Sequence, residues 1–548
     1  MRAPRMEWEG VAIAAIMVGV GFLTQSLAIV EGRDGSLLVH AWYNADWFKH
    51  LGHVAALADY GLPARDIFNA GEPLHYYWLS YLLAGAGAAI GGDHWAALAS
   101  AQAVIVALLC MVFYGVLRLV ASSRKAALIV GLSAFFLCAP LSDAGEFLLY
   151  GADAMMNATR APRGPELLGF VQYIPQHALV LALLLAWFLL DRPERGGDSL
   201  PRLLGLASLA SALAVSTLLG AMVLAVYGLV QLWRRREKAL AEVAVMAVIS
   251  ALLVLALSVI QLNNPSSAID SPLLTNEIEP GSLPVRIINS MTIILTKLGL
   301  PLLVAGAFLV RWKPQSTDQR DAWRLAIVLF VVAPLALVAS EIMLSPRLGF
   351  EARLRIPSLP ALGIALVLAA ALSTAVSSSR KHAAGAMVAL TSLTLVALPS
   401  IVIRTAWHGN LRDSFTTVIP RQDRLVLAHL AAHSQPRDQA WQYPEAPFLA
   451  EPPGRDAWVV TQAGRTVTGS QRATDYVSAL PRIDAATRFY AGARDADIPP
   501  AVNWVFLSRT LHAQTYDRLV SRMRAKTGWV TASCYADACL FERQPAEK

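Results

Sequence analysis

Long apolar blocks separated by short polar stretches dominate the chain. Blocks of about 16–25 residues match what an α-helix needs to cross roughly 30 Å of hydrocarbon. They occupy residues 11–30, 96–120, 126–141, 173–190, 239–262, 287–310, 323–344, 356–375 and 383–403. Residues 203–233 are apolar over a longer run, which as one helix would measure about 46 Å. Arg202 and the Arg234-Arg235-Arg236 cluster bound that run, and the basic-inside bias wants both on one membrane face. Two short helices meeting near Ser216–Gly220 satisfy it. The segment 76–90 is apolar but short and rich in Gly and Ala, so it reads as surface-lying or re-entrant. Leaving it out puts every basic cluster on the cytoplasmic side: Arg2/Arg5, Arg118/Arg124/Lys125, Arg192/Arg195/Arg202, Arg234 to Lys238, Arg311/Lys313/Arg320 and Arg380/Lys381.

The pattern therefore predicts an α-helical polytopic membrane protein with about eleven transmembrane helices over residues 1–404. The N-terminus lies inside, and a short basic lead without a small-residue cleavage site keeps the first span in the mature chain. Residues 405–548 read as a small soluble α/β domain on the outer face. There, 423–433 and 514–526 predict helices, 457–462 and 502–508 buried strands, and 529–534 with 539–542 a closing hairpin.

Composition agrees. Of 548 residues, 55% are apolar and only 16% charged, and mean hydropathy is +0.48, values that a soluble interior does not accommodate. The net charge of +7 sits in topology-setting clusters, so nucleic acid is not among the expected partners. Cys110 and Cys138 lie within apolar blocks as packing residues. Cys534 and Cys539 flank Tyr-Ala-Asp-Ala, a spacing that predicts a disulfide across a hairpin in an oxidising space. Two cysteines fall short of a zinc ligand set.

The long outer loops (31–75, 142–172, 263–286 and 345–355) hold nearly all the polar candidates. In the first, Asn44 caps a predicted helix running to about Tyr60, with Gly61 and Pro63 stopping it. Asp46, His50 and His53 stand at i, i+4 and i+7 and share one helical face, a carboxylate with supporting imidazoles or an ordinary polar face. Further along lie Glu72 and His75, followed by Tyr76, Tyr77 and Trp78, aromatics suited to a membrane interface. Arg347, Arg353 and Arg355 gather between two spans on the outer side against the usual charge bias, and planar guanidinium forks suit phosphate. Lys297, about ten residues into a span, is an ionisable group at functional depth. Glu341 is placed to pair with one of these arginines, and His177 opens a span at the same face.

A first span, an outer loop with an early aspartate (Asp46), the segment Pro73-Leu74-His75-Tyr76-Tyr77-Trp78 and a span ending in basic residues resemble the GT-C superfamily of polytopic glycosyltransferases. The likeness is nearest to the aminoarabinose and protein-mannosyl transferases, although Asp46-Trp47 stands where aminoarabinose transferases carry an Asp-Glu pair. The resemblance implies juxtamembrane helices in the first outer loop (31–95) and an outer C-terminal domain. It implies Asp46 as the catalytic base, joined by a second-loop acid from among Asp143, Glu146 and Asp153, with Asp153 preferred. His50, His53, Glu72, His75, Tyr76 and His177 are the expected substrate contacts, and Arg347, Arg353, Arg355 and Lys297 the expected donor-phosphate contacts. The implied donor is a polyprenyl-phosphate sugar and the acceptor an envelope glycan, lipid or protein. The reaction takes place on the outer face of a bacterial-type inner membrane with inversion at the anomeric carbon. The resemblance fixes no cofactor, and the need for a divalent cation is left open. A lipid-linked saccharide flippase and a non-catalytic envelope-assembly protein are the competing readings. Acids gathered at one face, with no internal repeat, favour the transferase.

Overall fold

The apolar blocks fold as helices whose outward faces stay apolar. In this computed structural model, α1 (Trp8–Ala28) is followed by α2 (Phe48–Tyr60), α3 (Leu82–Gly91), α4 (His94–Val120) and α5 (Arg124–Ser133). After α6 (Glu166–Gln172) come α7 (Pro175–Leu190), α8 (Ser199–Val215), α9 (Thr217–Arg234) and α10 (Ala239–Gln261). The series closes with α11 (Leu283–Arg311), α12 (Thr317–Met343) and α13 (Ser358–Ser378). The structure describes residues 7–40, 43–70, 72–74, 78–121, 123–136, 166–172, 175–191, 199–234, 239–261, 283–343, 355–378, 388, 416–444, 454–470 and 479–545. Leu240, Val245, Leu252 and Leu255 of α10 are all more than half exposed, which a helix tolerates where its solvent is hydrocarbon.

Among the described residues, four helices are long and apolar enough to cross a membrane: Trp8–Ala28, His94–Val120, Thr317–Ala339 and Ser358–Ala375. Six further apolar helices are shorter, where the sequence pattern predicts about eleven spans in all. The block at 383–403 lies outside the described residues. The run 203–233 does divide in two, with Ser216 between α8 and α9. From residue 78, where the described part of the 76–90 segment begins, the chain forms a 3₁₀ turn (Trp78–Tyr81) leading into the ten-residue α3.

Chain contacts separate two compact units. One comprises Met1–Leu23, Gln102–Leu257 and Pro272–Ala406; the other comprises Thr24–Ala101, Ser258–Ser271 and Trp407–Lys548. In the first, α7 packs on α8, α8 on α9, α9 on α12, and α13 on α5, α11 and α12. The ends of several helices meet in an ionic network. Asp191, just past α7, accepts from Trp187 Nε1 at 3.2 Å and Gln231 Nε2 at 2.6 Å, and lies 3.6 Å from Arg202. Arg202 also bonds Glu242 at 2.7 Å, and Arg234 bonds Asp321 at 2.9 Å with both side chains buried. Because Arg202 and Arg234 both reach Asp191, α8 and α9 form a hairpin whose two far ends return to one place. Its turn is tight. A Cβ on Gly220 would stand 2.6 Å from the Ala212 carbonyl carbon and from the Leu213 Cα.

The second unit joins the first loop to the C-terminal region. β1 (Ile29–Glu31), β2 (Leu37–Val39) and β3 (Thr417–Ile419) make a three-stranded antiparallel sheet in the order β1-β2-β3. A five-stranded mixed sheet follows, built from β4 (Gln439–Trp441), β5 (Thr466–Val467), β6 (Val502–Ser508), β7 (Trp529–Tyr535) and β8 (Ala538–Arg543) in the order β5-β4-β6-β8-β7. Its helices are α14 (Arg421–His433), α15 (Leu480–Tyr490) and α16 (Tyr516–Ala525). Trp441, Phe489, Tyr490, Val505, Leu519 and Phe541 belong to one buried core. The predicted hairpin is β7–β8, closed by the Cys534–Cys539 disulfide. The predicted strand at 457–462 is corrected. That segment is buried but wound, with a 3₁₀ turn at Arg455–Ala457 and a π turn at Val459–Ala463. Gly454 (φ +87°) and Gly464 (φ +63°) bracket it, turning the backbone in and out, and Gln442 Oε1 accepts from Val459 N at 2.7 Å.

Candidate functional site

In the first loop the chain does not start α2 with a cap at Asn44. Residues Tyr43–Trp47 wind as a π turn that runs directly into α2. Tyr43, Trp47 and Phe48 are buried, with Tyr43 and Trp47 ring centroids 5.3 Å apart and Phe48 edge-on to Trp95 at 6.1 Å. These apolar anchors fix the turn and leave Asp46 half-buried on it. In a π turn the hydrogen bonds run i→i+5, so the α-helical face count from Asp46 to His50 does not transfer unchanged. His50 and His53, three apart on α2, do share a face. Both are buried, and both rings lie 5.4 Å from that of Tyr81. The Tyr81 hydroxyl is 2.6 Å from His50 Nδ1. Tyr81 is a contact the sequence reading did not single out, although it ends the aromatic run that begins at Tyr76. The helix stops at Gly61, whose φ of +66° suits glycine and whose N–H donates to the Leu57 carbonyl at 3.0 Å.

Glu72 is half-buried and serves its loop through its backbone. Its carbonyl accepts from Asp66 N at 2.8 Å, and its N–H donates to the Asn69 carbonyl at 3.1 Å. His75 and Tyr76 lie outside the described residues, as do Asp143, Glu146, Asp153, Arg347 and Arg353. Lys297 and Glu341 fall on α11 and α12, with their side chains outside the described set.

In the other unit, two of the predicted residues meet. Arg355, just before α13, donates through Nε to Nε2 of His177 in the first turn of α7. Arg355 is 9% exposed and His177 fully buried. The Phe170 ring lies 5.5 Å from that of His177, and the neighbouring Gln172 and Gln176 are buried as well. A guanidinium held this far from water is a strong potential partner for a carboxylate or phosphate oxygen. His177 and Asp191 stand at opposite ends of α7, about 20 Å apart along its axis at 1.5 Å per residue. The Arg355–His177 pair and the Asp191 network therefore occupy opposite ends of that helix.

A second polar cluster had no motif to announce it. Asp59, near the end of α2, is half-buried, and burial raises its pKa against the opposing pull of His94 and Arg465. A Cβ built on Gly464 would lie 3.0 Å from His94 Cε1 and 3.9 Å from Asp59 Oδ2, so the three elements converge there. Arg465 Nη2 donates to the carbonyls of Ala431 at 2.7 Å and Ser434 at 3.1 Å, closing the C-terminal end of α14. Asp59 and His94 are 35 positions apart, too far for any helical spacing to connect them. Among the described residues, no group of three or more His, Cys, Asp or Glu is placed to hold a metal ion.

No protein-family model matches the chain, and no curated protein matches it.

Proposed function

We propose that this chain is a membrane glycosyltransferase of GT-C type. In this reading it moves a sugar from a polyprenyl-phosphate donor to an acceptor hydroxyl of an envelope glycan, lipid or protein. The observation that carries the reading is the buried Arg355–His177 pair at the end of α7 remote from the basic helix ends. The contacts at those ends support the orientation. Glu7, ahead of α1, bonds Arg118 near the end of α4 at 3.1 Å. Gln319 at the start of α12 donates to the Val120 carbonyl at 3.2 Å, and Ser123 N donates to Ser373 Oγ near the end of α13 at 3.2 Å. An N-terminus that shares an end with the finish of α4 fits a first loop that dips and returns without crossing. On this reading the basic ends face the cytoplasm, about eleven spans cross the inner membrane, and the first loop and C-terminal domain lie outside.

The chemistry follows from the groups. The donor's lipid cannot leave the bilayer, so reaction occurs at its surface. An acceptor hydroxyl is a poor nucleophile at neutral pH, and Asp46 accepts its proton as the oxygen attacks the anomeric carbon. The bond from that carbon to the phosphate oxygen breaks with its electron pair on the phosphate. Arg355 is the fixed cation for that growing negative charge. The oxocarbenium-like centre gains from a nearby carboxylate, and direct attack inverts the configuration. Asp153 remains the proposed second acid.

The test is purified chain reconstituted with a panel of polyprenyl-phosphate sugars. Asp46→Asn is expected to lose at least a hundredfold in released polyprenyl phosphate, the usual scale for removing a general base, with its melting temperature unchanged. Full release by that variant would remove the assignment.

A further inference from the structure

In the second unit, the loop after α2 crosses the edge of the five-stranded sheet. Val467 N donates to the Ile67 carbonyl at 2.8 Å and Ala70 N to the Val467 carbonyl at 3.3 Å. Arg482 of α15 clamps the same loop through the Ala70 carbonyl at 2.7 Å and Asn69 Oδ1 at 3.2 Å. Where this loop meets the turn between α14 and β4, an open cleft of about 430 Å³ remains, within the range of about 300–1,000 Å³ usual for ligand pockets.

The lining is specific in its chemistry. Arg65 from the loop and Arg437 from the turn both line the cleft, and both side chains are exposed. Arg437 enters no ion pair among the described residues. The neighbouring carboxylate of Asp438 is engaged by Gln435 N at 2.9 Å and Trp504 Nε1 at 3.1 Å. Two guanidinium groups on one cleft create a field that favours an anion, and the forked donors of Arg437 match a carboxylate or phosphate. Gln439 and Thr466 add neutral polar groups. The Tyr60 hydroxyl is occupied by Thr466 Oγ1 and the Pro436 carbonyl, so Tyr60 lends the cleft its ring. Leu62 and Pro63 extend that apolar wall. Cations, an amide and an aromatic side chain together suit a ring that is apolar on its C–H face, hydroxylated at its edge and negatively charged at one substituent.

We propose that this cleft is a binding site for an acidic sugar, a pyranose bearing a carboxylate or a phosphate. The assignment rests on the cleft's own residues and is read by binding without turnover, so it holds or fails separately from sugar transfer. The experiment titrates purified full-length chain with glucuronate, glucose 6-phosphate, glucose and inorganic phosphate, using isothermal calorimetry. One of the two sugar anions is expected to bind about tenfold or more tighter than both glucose and inorganic phosphate, and which one it is identifies the charged group. Arg437→Gln and, separately, Arg65→Gln are expected to weaken that binding about tenfold, the scale of one charge-assisted hydrogen bond, with unchanged melting temperature. Binding of glucose as tight as that of the sugar anions overturns the proposal. So does binding of inorganic phosphate as tight as either, absence of binding by all four, or wild-type affinity in both variants.

Discussion

Asp423 sits in the first turn of α14 with its side chain fully buried. Burial pushes its carboxyl up to about 7, reinforced by the charge of Asp537 and opposed by the hydroxyl of Ser508 on β6. A raised carboxyl binds its proton more tightly in the folded chain than in the unfolded one. Its stabilising contribution is therefore complete below the ordinary value of 3.8 and is lost as pH rises through about 7. At 1.36 kcal/mol per pH unit that loss is roughly 4 kcal/mol. Asp423→Asn keeps the shape of the protonated acid and removes the titration. Hydrogen exchange of α14 and β6 amides in the full chain, corrected for intrinsic rate, is expected to show a pH dependence between about pH 4 and about pH 8 that slopes downward more steeply in wild type than in the variant. Equal slopes in both would contradict the account. His512 is the mirror case. Ringed by Tyr443, Tyr490 and Tyr516, it is pushed down to about 4 by burial, so its contribution is full above the ordinary value of 6.5 and is lost as pH falls through about 4. Neither shift was legible in the sequence, because each arises from surroundings that only the folded sheet assembles.

At the scale of elements, the α8–α9 hairpin was legible because charge marks both its ends. Arg202 and Arg234 had to share a face, and a single helix could not bring them there. The buried segment at 457–462 was legible as buried but not as wound. Four consecutive apolar residues, Ala457 to Val460, report burial, whereas the winding comes from two left-handed glycines and the Gln442 contact. The same hairpin carries a prediction. Gly220→Val places side-chain atoms against the Ala212–Leu213 backbone, which cannot yield as a flexible side chain would. Overpacking of this kind costs about 1–3 kcal/mol or more. The variant is expected to melt several degrees lower in detergent, while Gly19→Val, at a glycine with open space around it, leaves melting unchanged. Equal melting of the two variants would contradict the one-residue turn.

At the scale of the whole chain, the basic clusters read along the sequence as topology markers turn out to include structural partners. Arg202 and Arg234 are tied into Asp191, Glu242 and Asp321, a network invisible to a reading that counts charges loop by loop. The union of the first loop with the C-terminal region was equally hidden, since strands of two or three residues separated by hundreds of positions leave no periodic signal. The candidate site was legible in part: the pattern of loop charges singled out both Arg355 and His177, but not their pairing. The central claim is that Asp46 performs the proton transfer and Arg355 holds the donor phosphate. Steady-state kinetics with a polyprenyl-phosphate sugar test it most directly, comparing wild type, Asp46→Asn and Arg355→Gln, each checked for unchanged melting. The account predicts a collapse of kcat at little-changed KM for Asp46→Asn and about a tenfold or greater fall in kcat/KM for the donor for Arg355→Gln. Wild-type kcat and KM in both variants would contradict it.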